Sequence, residues 1–211
     1  MGAVGLLYVG AVLFVNGLSL LGLVKGKSMI PMNLFVGLLQ VITPLYLIFT
    51  ANGNQAVIVG ASGLFLFGFT YLYVAMNNAF DLDGTGLGWF CLFVAIAACV
   101  YAGFNFQLGT ATGNILGVLW ANWAFLWLLF WIVLALGKTN FTRYTGAVCA
   151  AQGLYTGLLP ALIFLNVSSF VTTTLAIVIA CVGVVLDIAF IVFFKPRWRV
   201  TEAPAVSSAY G

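Results

Sequence analysis

Four tryptophans fall at Trp120, Trp123, Trp127 and Trp131, a spacing that lays them on one face of an α-helix. Indoles in membrane proteins normally sit at the membrane–water boundary. Trp89 and Trp198 fit that habit, at the start of one apolar run and just past the end of another. Trp120, Trp123 and Trp127 do not, because they occupy the middle of an apolar run, where they either pack a bundle or line a passage. A second patch, Phe67, Thr70, Tyr71 and Tyr73, mixes rings with hydroxyls, and a buried tyrosine hydroxyl needs a partner. Asn16 and Gln152 add side-chain amides to two further apolar runs. Intramembrane polar groups of this kind bond a neighbouring helix or face a water-filled cavity. Asp187 is the only charge inside an apolar run, and it is either satisfied by a neighbour or functional.

Other chemistry is scarce. The chain has no histidine, which removes the commonest general base, metal ligand and pH switch. Cys91, Cys99, Cys149 and Cys181 lie inside apolar runs and form no C-x-x-C pair. No acidic pair and no nucleophile–base set stands out, so an enzyme is not expected, and nothing requires a cofactor or a metal. Of the 211 residues, 64% are hydrophobic and 5% charged, with a mean hydropathy of +1.19. Soluble domains carry about 25% charged residues. The composition excludes a soluble globular protein and a disordered chain, and the dispersed net charge of +3 excludes a nucleic-acid partner. The expected fold is an all-α integral membrane protein, a bundle of seven transmembrane helices in contact with lipid.

The elements that position these residues are seven apolar segments, at about 3–23, 31–50, 56–78, 87–107, 113–136, 144–165 and 170–194. Each has about the 20 residues needed to cross 30 Å of hydrocarbon. One transmembrane domain is expected over 1–194, followed at 195–211 by a basic stop and a disordered cytoplasmic tail. The first run lacks a basic n-region and a small-residue cleavage site, so it reads as a span and not as a signal peptide. Lys25 and Lys27 follow the first span, Lys138 and Arg143 lie between the fifth and sixth, and Lys195, Arg197 and Arg199 follow the seventh. Seven spans put all of these on one side, which the positive-inside rule makes cytoplasmic, with the N-terminus outside. Gly113-x-x-x-Gly117 and Gly153-x-x-x-Gly157 have the spacing of close helix contacts.

The same segments carry a resemblance. Gly63-Leu-Phe-Leu-Phe-Gly-Phe-Thr-Tyr-Leu-Tyr-Val-Ala-Met-Asn77 closely resembles the third-helix signature of the AmiS/UreI family of urea and short-chain amide channels. Gly5 to Gly17 resembles that family's first helix, Met32 to Gly37 its second, and Trp120-x-x-Trp-x-x-Leu-Trp127 its fifth. The resemblance covers roughly residues 1–165. It implies a homohexamer in which each protomer has its own pore with two aromatic and aliphatic constrictions. By motif match, Val9, Leu13, Phe67, Thr70, Tyr71, Trp123, Leu126 and Trp127 would line them, with Trp120 and Asn16 alongside toward the vestibules. Gln152 stands where the family's acid-gated channels carry a carboxylate, and is counted with the lining.

The chain departs from those acid-gated channels in lacking their periplasmic histidines, in a first outer loop shortened to about Ala51–Ala56, and in adding a seventh span. In these respects it looks like the amide-transporter branch that accompanies bacterial amidases, so a cytoplasmic amidase is an expected functional associate. The function these features imply is a passive, not acid-gated, inner-membrane channel for small neutral amides such as urea and acetamide. The competing reading is an ion- or proton-coupled amide transporter using Asp187. A seven-helix retinal protein would need a mid-membrane lysine in its last span, and there is none.

Overall fold

Long apolar stretches in lipid must bond their own backbone, and helices do so within one segment. The computed structural model, which describes residues 2–196, is helical accordingly. Its elements are α1 (Gly2–Leu20), α2 (Ile30–Phe49), α3 (Gln55–Phe80), α4 (Thr85–Gln107), α5 (Ala111–Leu134), α6 (Thr142–Gln152), α7 (Leu159–Asn166) and α8 (Thr173–Phe194). A π turn, Gly153–Leu158, joins α6 to α7 within a single sixth span. Seven spans among the described residues are long and apolar enough to cross a membrane. The protein is a multi-pass membrane protein. The expected tail from residue 197 onward lies outside the described residues.

Local sequence sets the ends of these helices. Asn54 caps α3 by accepting from the amides of Ala56 and Val57 at 3.1 and 3.3 Å. Thr110 caps α5 and Thr172 caps α8 in the same way. Pro31 opens α2, where its missing N–H costs no helical bond. The first span ends earlier than its apolar composition suggests, because Gly22 takes a left-handed φ of +85° and Gly26–Met29 turns into a short 3₁₀ segment. The seventh span starts at Thr173 and not at 170, since Ser168–Phe170 is also 3₁₀. The π turn interrupts the single helix that the apolar run 144–165 predicts.

The first six spans close a ring. Each packs on its neighbour in the chain, with α2–α3 and α4–α5 as the tightest hairpins, and the sixth span returns to pack along α1. Glycines make that last contact possible. A Cβ on Gly10 would come within 2.6 Å of the Gly153 carbonyl oxygen, and one on Gly153 within 2.6 Å of the Gly10 carbonyl oxygen. The expected close approach of Gly153 and Gly157 is therefore to α1, while Gly117 admits the ring of Phe106 from α4. The added span α8 lies outside the ring against α5 and α6, burying only Ala176, Ile179 and Gly183.

Two contacts show which connections share an end. Lys27 Nζ and Asp81 Oδ2 are 2.9 Å apart, joining the α1–α2 and α3–α4 connections. The Arg143 guanidinium lies 5.9 Å from the centre of the Phe194 ring, joining the start of α6 to the end of α8. At this end Asp83 accepts bonds from the Thr85 hydroxyl and amide, which hold its carboxyl below the usual carboxylate range.

Candidate functional site

Helical periodicity builds the site. On α3, Phe67, Thr70, Tyr71, Val74, Asn77 and Asn78 recur three, four and seven residues apart and form one stripe. On α1 the matching stripe is Leu13, Asn16, Ser19 and Leu20, and on α5 it is Trp123, Leu126, Trp127, Phe130 and Leu134. With Leu87 and Cys91 of α4 these stripes enclose a cavity of about 330 Å³. The cavity extends toward the lysine-bearing end, where Met29, Leu82 and Gly84 complete its wall.

Phe67 marks the other limit. Its ring centre is 4.8 Å from that of Trp123 in an edge-on contact (87°), 4.8 Å from Trp127 and 5.5 Å from Trp120. Edge and tilted contacts at these distances are the favoured aromatic geometries. Trp120 lies one turn beyond, stacked on Tyr101 at 4.7 Å, and the Tyr101 hydroxyl is 2.7 Å from that of Ser62. Gly63 lets the indole in, since a Cβ there would meet the Trp120 ring at 2.9 Å. Phe67, Trp120, Trp123 and Trp127 are all nearly fully buried.

The polar groups on the wall are individually held. Asn16 and Asn33 bond reciprocally through their amides, at 2.9 and 2.6 Å, and Asn33 also donates to the Met29 carbonyl. That fixes the plane of the Asn16 amide and leaves one of its N–H bonds uncommitted. The Thr70 hydroxyl donates to Leu66 O at 2.6 Å and keeps its acceptor capacity. The Tyr71 hydroxyl and Asn77 Oδ1 are buried without a hydrogen-bond partner among the described residues. Among the described residues, no acidic or basic side chain lines the cavity.

Eight of the residues singled out from the sequence meet around this cavity: Leu13, Asn16, Phe67, Thr70, Tyr71, Trp123, Leu126 and Trp127. Three do not reach its wall. Val9 is buried in the core cluster, and Trp120 packs on Phe67 without reaching the wall. Gln152 is fully buried and donates to the Asn122 carbonyl at 3.0 Å, away from the cavity. Asp187 is half-buried on α8 and does not line it either. Sequence reasoning missed Ser19, Val74, Asn77, Asn78, Leu87 and Cys91. Extending the α3 stripe one more turn past Thr70 would have reached Val74, Asn77 and Asn78, whereas Asn33 and the α4 residues depend on cross-helix packing.

Residues 1–168 match the family described as AmiS/UreI family transporter. The chain belongs to that family. It is 45% identical to a protein of Mycolicibacterium smegmatis named an amidate substrates transporter, over 99% of this chain and 95% of that one. It is 34% identical to the acid-activated urea channel of Helicobacter pylori, over 74% of this chain and 93% of the channel. Among solved structures, the H. pylori urea channel in its closed state superposes with a TM-score of 0.71 at 31% identity, covering 78% of this chain and 97% of the channel. The crystal structure of that channel gives 0.68 at 31%, covering 79% and 98%. The family match ends before α8, so the seventh span is the feature this chain adds to the matched region. Family and relatives agree on a transporter or channel of amides or urea.

Proposed function

We propose that the chain is a passive channel for small neutral amides and that the cavity between α1, α3, α4 and α5 is its slot. The observation that carries this reading is the one-sided chemistry of the wall. Its hydroxyl and amide groups (Asn16, Ser19, Thr70, Tyr71, Asn77 and Asn78) come from α1 and α3. The α4 and α5 side supplies Leu87, Cys91, Leu126, Phe130, Leu134 and two indoles, and the Trp123 N–H is already donated elsewhere.

A primary amide has the same division, with a planar polar head and a short alkyl tail. Stripping an amide of its hydration without replacement costs about 2–7 kcal/mol. The free N–H of Asn16 suits the solute carbonyl. The unpartnered Asn77 Oδ1 and the acceptor side of Thr70 suit its N–H groups, with the Tyr71 hydroxyl able to do either. The aromatic group at Phe67 admits a thin planar solute edge-on or not at all. Ions find no charge or carbonyl ring to replace their water. The wall thus suits acetamide and its short homologues at least as well as urea, which is polar at both ends.

Such a slot needs no coupling energy, and no reaction is proposed for it. The competing reading, transport coupled to ions or protons through Asp187, is disfavoured by the position of that carboxyl off the cavity wall. In the membrane we place the lysine-bearing end in the cytoplasm, the N-terminus outside and the C-terminus inside. We also propose a homohexamer of independent slots delivering amides to a cytoplasmic amidase.

The test is a permeability series in vesicles containing the pure protein: acetamide, propionamide, urea and glycerol. Acetamide and urea are expected to permeate well above bare lipid, and glycerol, which has no planar amide, is expected to stay near it. Equal acceleration of all four would contradict an amide-shaped slot.

A further inference from the structure

The Trp123 indole does not donate into the cavity. Its N–H bonds the Thr156 hydroxyl at 3.0 Å, and Thr156 is fully buried and absent from the cavity wall. An indole has one donor and no acceptor. This single bond therefore turns its polar edge outward and leaves carbon surface facing the slot.

Thr156 sits in the π turn, where the backbone bonds five residues back: the Leu159 amide reaches the Leu154 carbonyl. Its hydroxyl also donates to the Gln152 carbonyl at 2.6 Å, so both functions of the hydroxyl are in use. The turn is clamped on both sides. Gly153 and Gly157 press against Gly10 of α1. Toward α5, the Tyr155 hydroxyl donates to Asn122 Oδ1 at 2.8 Å, and the Gln152 amide donates to the Asn122 carbonyl at 3.0 Å. Consecutive residues of the π turn, Tyr155 and Thr156, thus hold consecutive residues of α5, Asn122 and Trp123. On the far side Gly183 of α8 is packed against the same Asn122–Tyr155 pair. Single-turn π segments inside helices are often found at functional sites.

From this geometry we infer that Thr156 is a positioning residue for the slot: it fixes the plane of Trp123 and thereby the width of the gap at Phe67. The inference rests on the amide-channel reading for its functional consequence, but not for the hydrogen bond itself. The chain of contacts is short. Thr156 holds the indole N–H, the indole meets the Phe67 ring edge-on at 4.8 Å, and Phe67 ends the cavity. The isostere Thr156→Val keeps the shape and removes the hydroxyl, both the acceptor for Trp123 and the donor to the Gln152 carbonyl. Thr156→Ser keeps the acceptor.

Two readouts test this. The first is the indole N–H spectrum of ¹⁵N-tryptophan-labelled protein in detergent, with Trp123 assigned through Trp123→Phe. In the wild type the Trp123 N–H is expected to be protected from exchange. It should move upfield and exchange faster in Thr156→Val, and be restored in Thr156→Ser. Rapid exchange in the wild type, or an unmoved signal in Thr156→Val, overturns the inference. Should Thr156→Val not assemble, Thr156→Ala gives the same comparison.

The second is size selection. The butyramide-to-acetamide permeability ratio is expected to rise about two- to tenfold in Thr156→Val, the range that loss of one hydrogen bond allows. It should stay at the wild-type value in Thr156→Ser. The effect of Thr156→Val should vanish in a Trp123→Phe background, which has no N–H to hold. An unchanged ratio in Thr156→Val, beside a wild type that conducts amides, overturns the inference alone. A wild type that conducts no amide overturns the channel reading, and the spectrum still decides the bond.

Discussion

Asn16 owes its orientation to Asn33, which lies off the cavity wall. Replacing Asn33 with leucine removes both reciprocal bonds and leaves a buried amide unsatisfied, at a cost of about 1–3 kcal/mol. We expect Asn33→Leu to lower the melting temperature in detergent and to reduce acetamide flux per assembled protein. Trp127→Ala acts differently, because it removes a ring from the group around Phe67 and opens the slot. Larger amides should then pass, and a variant that assembles with wild-type selectivity would mark that indole as packing alone.

The residues also predict the response to acid. The Asp83 carboxyl is held down by Thr85, so its bonds add stability above the unfolded carboxylate pKa of about 3.9 and lose it as pH falls through the lower folded value. Both points lie below pH 5. With no histidine in the chain and Asp187 off the cavity wall, amide flux should stay nearly flat between external pH 5 and 7.5. Asp187→Asn should behave like the wild type. A several-fold rise on acidification that Asp187→Asn abolishes would make that carboxyl the sensor.

Among the elements, the sixth span departs most from a plain helix. Its π turn fits against α1 only because Gly10, Gly153 and Gly157 lack side chains. Gly157→Val would drive two methyls into the α1 backbone, and overpacking of this kind costs about 1–3 kcal/mol or more. We expect that variant to aggregate on extraction or to elute as an unfolded species in size-exclusion chromatography. Much of this level was legible beforehand. Apolar length located all seven spans. Of the four tryptophans whose spacing predicts one face, Trp120, Trp123 and Trp127 gather at Phe67, whereas Trp131 packs against Trp89 of α4. Leu13, Asn16, Phe67, Thr70 and Tyr71 could be named because their helices carry motifs of the family. The π turn was not legible, since Gly153-x-x-x-Gly157 reads equally well in an unbroken helix. Gln152 reads as a lining amide because it is a polar group inside an apolar helix, yet it donates to the Asn122 carbonyl of α5, a cross-helix bond that leaves no local signal. Contacts such as Trp123–Thr156 join residues 33 positions apart and leave no local signal.

For the whole molecule, the topology we propose puts the lysine-bearing end in the cytoplasm, from the one-sided distribution of the positive residues. A C-terminal phosphatase fusion should be inactive and a C-terminal fluorescent-protein fusion bright, and the reverse pattern would contradict seven spans in this orientation. The central claim is passive conduction of amides through the slot. Its most direct test is stopped-flow acetamide uptake into vesicles containing the pure protein, run with no ion gradient and again with imposed proton and sodium gradients. The account predicts uptake well above bare lipid, down the acetamide gradient alone, at the same rate in all three conditions. Uptake no faster than bare lipid, or uptake that appears only with an ion gradient, would contradict it.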